Sequence, residues 1–176
     1  MRESSLKNNT GFALAEMIVY VAIMTVITAV LVQSIITVVK SNKQSFASNS
    51  IKDSAITSLE KMTREIRNAE SIDLVNSSLN VTNGILQINS KDSSGNPEII
   101  RFYLQSNILM INASSSINTL FGPLTSNNIK VSNLKFIPII TPVSSAVKIE
   151  MTLENNGKDF VKTEDFYSTV ILRGSY

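Results

Sequence analysis

The spacing of hydrophobic and polar positions changes twice along the chain. From Met17 to Val39, 23 consecutive residues carry no charge, and most are Val, Ile, Ala, Leu or Met. A run of that length and composition predicts a helix able to cross a bilayer. Beyond it, Ile51, Ala55, Leu59, Met62, Ile66 and Ala69 recur at steps of three and four, while Lys52, Asp53, Glu60, Lys61, Arg64 and Arg67 fall between them. This is one apolar stripe on an amphipathic helix, predicted to pack against a folded head. No Pro or Gly occurs between Phe12 and Asn83, so no helix breaker separates the two stretches. Residues 12 to about 70 are therefore predicted to form one helix, on the order of 90 Å long at 1.5 Å per residue.

From Ser71 onward the spacing becomes two. Val147, Ile149, Met151 and Leu153 alternate with Lys148, Glu150, Thr152 and Glu154, as in a half-buried strand. Asn155-Asn156-Gly157 is a turn signal, and Phe166, Ser168, Val170 and Leu172 alternate again, predicting an antiparallel hairpin. Further strands are expected at 85–89, 98–105, 108–112 and 129–137, with Ser93-Ser94-Gly95-Asn96-Pro97 turning between the first two. Pro123, Pro138 and Pro142 are expected to mark loops or strand ends. The predicted fold class is α+β: one long N-terminal helix packed on an antiparallel sheet of four to six strands. The expected parts are a leader at 1–11, a membrane-spanning segment at 12–39, an amphipathic continuation at 40–70 and a water-facing head at 71–176.

Charge changes the picture little. Residues 71–176 hold eight basic and eight acidic side chains, so the head is neutral and lacks the electrostatic footprint of a nucleic-acid binder. The chain has no Cys and no His, which excludes disulfides, a Cys/His zinc site and a His-based triad. No catalytic, cofactor-binding or metal-binding residue is assigned. Asp92-Ser93-Ser94-Gly95-Asn96-Pro97-Glu98 offers oxygens like a calcium loop, but it is too short for an EF-hand and reads as a hairpin turn. A Ser–Lys pair is not visible from sequence. Tyr20, inside the apolar run, is expected to pack in a helix bundle.

Glu16 is the residue that does not fit a plain membrane anchor. A carboxylate one turn into a membrane helix is costly and rare without a partner. No basic residue lies within helical reach on its C-terminal side; the nearest cation upstream is Lys7. Three readings of the segment are open. It is a signal anchor, or a secretory signal peptide cut near Ser45-Phe46-Ala47, or a precursor cut after Gly11. The second has an apolar run far longer than the 7–15 residues of a signal-peptide core. The third gives Phe12 a free α-amine, four residues from Glu16.

Gly11-Phe12-Ala13-Leu14-Ala15-Glu16 resembles the processing signal of the type IV pilin and type II secretion pseudopilin superfamily. That signal has a short charged leader, Gly before the cut, Phe after it, and Glu at the fifth mature position. The sequence departs from it at Ala13 and Ala15, which keep that surface small and apolar. Leu59 to Glu70 and Phe166 to Gly174 resemble the helix end and last strand of J-type minor pseudopilins and related type IV minor pilins. The resemblance implies cleavage after Gly11 by a prepilin peptidase, N-methylation of Phe12, and assembly through Glu16 with other pilin or pseudopilin subunits. It also implies residence in the inner membrane, with the N-terminus inside and the head outside, before passage into an extracytoplasmic filament. The function expected is that of a structural, minor subunit of a pilus or pseudopilus. The alternative is an extracytoplasmic sensor or enzyme tethered by a signal anchor.

Overall fold

The computed structural model describes residues 10–115, 119–157 and 161–173, the side chains of 10–13 excepted. One α-helix, α1, runs from Thr10 to Asn68 over 59 residues. It is followed by β1 (Ser71–Ile72), β2 (Leu86–Lys91), β3 (Pro97–Gln105), β4 (Ile108–Ser115), β5 (Thr119–Pro123), β6 (Ile129–Ile140), β7 (Ser145–Asn155) and β8 (Thr163–Ile171). The chain divides into two compact units, Met1–Gln44 and Ser45–Tyr176.

Within the second unit the amphipathic half of α1 is a core element. Ile51, Ala55, Met62, Ile66 and Ala69 are fully buried, and Leu59 packs beside them. Burying that stripe removes the apolar face from water, which stabilises the helix more than its intrinsic propensity does. Ser54 and Ser58 share the buried face. Ser58 Oγ donates to the Leu124 carbonyl at 2.9 Å, and Ser54 Oγ accepts from the Ser126 amide at 3.4 Å. The two hydroxyls thus satisfy backbone groups of the segment after β5.

The strands form two antiparallel sheets, where the alternation alone predicts one. The first has the order β1-β2-β3-β4-β5 and the second β6-β7-β8. Both contribute to one core with the helix stripe, including Ile88, Phe102, Ile111, Phe136, Ile149 and Val170. The β7–β8 hairpin forms as expected, with Val147 opposite Val170 and Met151 opposite Phe166. The β3–β4 hairpin turns through Ser106 and Asn107, both at positive φ (52° and 63°). That is the signature of a two-residue type I′ turn, whose twist matches the strands it joins.

β5 is not among the expected strands; Pro123 stands at its end, as expected, and as an edge strand β5 tolerates both Gly122 and Pro123. Pro138 lies inside β6, opposite Val147, rather than at a strand end. Edge strands accept Pro because one row of their amides has no ladder partner. The outer edge of β6 is met by a loop: the Asn80 amide donates to the Phe136 carbonyl and the Gly84 amide to the Leu134 carbonyl, each at 2.8 Å. A β-bulge between Val131 and Asn133 shifts the register of β6. It lets Ile129 and Val131, then Leu134 and Phe136, all face the core, although the spacing between the two pairs is out of phase.

Candidate functional site

The first unit is an apolar helix surface that the chain itself leaves uncovered. Every described side chain from Leu14 to Phe46 is exposed, and the most apolar stretch has none of its residues buried. Among the described residues, α1 is the one helix long and apolar enough to cross a membrane. An exposed apolar surface of this extent marks contact with lipid or with other protein. Four of its hydroxyls bond their own helix backbone. Thr25 donates to the Ala22 carbonyl at 2.7 Å, Thr28 to Met24 at 2.8 Å, Ser34 to Val30 at 2.9 Å and Thr37 to Gln33 at 2.9 Å. These bonds satisfy hydroxyls that lipid would leave without partners.

Glu16 lies in the second turn of α1. Gly11 and Phe12 fall in the first turn of α1, and the Phe12 side chain lies outside the described residues. The Glu16 carboxylate has an intrachain partner that the sequence pattern does not reveal: the Tyr20 hydroxyl donates to Glu16 Oε1 at 2.7 Å. Tyr20 itself is 56% exposed on the isolated chain. The signal is present in the four-residue spacing, since side chains at i and i+4 share a helix face and lean toward the N-terminus. Tyr20 thus gives the Glu16 carboxylate a hydrogen-bond donor from its own helix.

Two other clusters in the head are structural ties. Asp92 Oδ1 accepts from the amides of Ser94 and Asn96, each at 2.9 Å, and Oδ2 from Asn96 Nδ2 at 3.2 Å, with Gly95 at φ 83°. The carboxylate is spent on the turn, as expected for a hairpin. The Asn96 amide, foremost among several causes, holds its carboxyl below the usual range. The second cluster, invisible in the sequence, joins Ser48 of α1 to β8 and the residue before it. Lys162 Nζ donates to Ser48 Oγ at 2.8 Å and pairs with the Glu164 carboxylate, and Ser48 Oγ donates to Glu164 Oε1 at 3.3 Å. The arrangement fastens α1 to the last strand. The Lys162 hydrogen bond lowers the Glu164 carboxyl from its usual range.

Element order, the buried helix stripe and the two sheets can be compared with known structures. A type IV-like pilin from Thermus thermophilus superposes with a TM-score of 0.53, over 70% of this chain and 97% of that one, at 8% sequence identity. The chain has the fold of a type IV-like pilin. No family model and no curated protein sequence matches it. The likeness is one of fold.

Proposed function

We propose that this pilin-like chain is a structural subunit, of the minor kind, in a type IV pilus or type II secretion pseudopilus. The observation that carries the proposal is the first unit: an apolar helix surface with no cover of its own and a single carboxylate near its start. In the precursor, lipid covers that surface. A prepilin peptidase on the cytoplasmic side cuts after Gly11 and leaves Phe12 with a free amine, the position expected to be N-methylated. Glu16 then pairs with such an amine, on its own or a neighbouring chain, and the helices of other subunits replace lipid around it. The apolar surface stays out of water throughout, so transfer from membrane to filament avoids the cost of exposing it. The head remains outside the membrane and carries no part of the transfer chemistry.

Glu16→Ala tests the proposal. Insertion and cleavage are expected to continue, because Gly11 and Phe12 are untouched and the helix becomes more apolar. The fraction of cleaved protein recovered in sheared filaments, with the partner subunits present, is expected to collapse. Recovery equal to wild type would reject assembly through Glu16 and favour a tethered head that works on its own.

A further inference from the structure

Phe12, Glu16 and Tyr20 stand at successive four-residue steps on α1, which puts them in one row on one helix face. Helical side chains lean toward the N-terminus. The Glu16 carboxylate therefore leans toward the end where the Phe12 amine would arise, and the Tyr20 phenol leans toward Glu16. The Tyr20 hydroxyl donates to Oε1 at 2.7 Å. A carboxylate has a second oxygen and further lone pairs on each, so a donor on Oε1 does not fill it.

We propose that Tyr20 is a positioning residue for assembly: its hydroxyl holds Glu16 through Oε1 and presents Oε2 to the amine of a cleaved subunit. This inference rests on the assembly reading above and adds to it a second residue and a geometry. Among the described residues the phenol is the group bonded to the carboxylate, so without it the carboxylate's rotamers spread. With the phenol, one rotamer is selected before the partner arrives, and less freedom is lost on pairing. The hydroxyl also takes part in the assembled state, because it and the amine bind different oxygens. Its removal therefore weakens incorporation instead of releasing the carboxylate for it.

Tyr20→Phe keeps the ring and removes the donor, and Phe is as compatible with a membrane helix as Tyr. In the full chain, cleavage is expected to match wild type. The filament share of cleaved protein is expected to fall about tenfold, the equivalent of one hydrogen bond to a charged group. A change below about twofold overturns the proposal, on the same scale. A second measurement separates the hydroxyl from ring packing. In the full chain labelled with ¹³C-glutamate and placed in bilayers, the Glu16 carboxylate resonance is identified by its loss in Glu16→Gln. It is expected to move in Tyr20→Phe; if it stays in place, no bond links the two side chains and the proposal falls. Failure of the broader assembly reading looks different, since there Glu16→Ala itself enters filaments as well as wild type.

Discussion

Replacing Ile66 by Ala tests whether the amphipathic half of α1 belongs to the core of the head. Ile66 is fully buried among both sheets, and the substitution removes three carbons from it. At about 0.8 kcal/mol per buried methylene, the transfer term is about 2.4 kcal/mol. A partly collapsed cavity adds to that, and Ile→Ala changes in packed cores cost about 2–5 kcal/mol in all. A value of about 3–4 kcal/mol is expected, a large share of the ~5–15 kcal/mol that holds a typical domain together. The control is Ile56→Ala on the same helix, where the side chain is 54% exposed and the cost should stay below about 1 kcal/mol. The assay is urea unfolding of the fragment Ser45–Tyr176, followed by circular dichroism. With a slope of about 2 kcal/mol/M, the midpoint should drop by roughly 1.5–2 M for Ile66→Ala, with the slope unchanged. Equal small shifts for the two variants would show that the helix stripe does not anchor the head, and the packing argument would fail.

Three further outcomes follow from the geometry, and a fourth from the processing signal. A methyl group on Gly84 would sit 2.7 Å from the Ser78 carbonyl oxygen and 3.2 Å from that of Val81, so Gly84→Ala should destabilise the head by about 1–3 kcal/mol, read as a lower unfolding midpoint. Burial, with Glu65 and Asp92 nearby, raises the Glu98 carboxyl, so its contribution to stability is present at low pH and lost as pH rises through its folded value; Glu98→Gln should therefore raise the melting temperature near neutral pH and leave it nearly unchanged below about pH 4. Asp73 and Asp92 are lowered instead, by hydrogen bonds led by those of Asn76 and Asn96, so wild-type stability should decline as pH falls below about 4, and a flat acid limb in the same melts would contradict this. Gly11→Val should block leader removal, leaving full-length protein in the membrane, whereas the wild-type mature chain should begin at Phe12 by N-terminal sequencing.

Periodicity by itself determined most of the architecture. The uncharged run and the stripe at steps of three and four are local consequences of 3.6 residues per turn, so α1 and its buried face at Ile51, Met62 and Ile66 are legible in the amino-acid order alone. The same holds for the β7–β8 hairpin, where alternation fixes which side chains point inward. Partition into two sheets is not legible, because pairing is decided by distant segments competing for one core. Nor is β5, a short strand holding Gly122 and Pro123, residues that an edge position tolerates. Ser54 and Ser58 look like surface residues in a string; only the carbonyl of Leu124 and the amide of Ser126 make them suitable for burial. At the candidate site the division is the same. Glu16 stands out by its chemistry alone, since one charge in an apolar run is anomalous wherever the chain goes. Its partner Tyr20 emerges only from the folded helix, because a four-residue spacing permits a hydrogen bond, and only the side-chain geometry makes one.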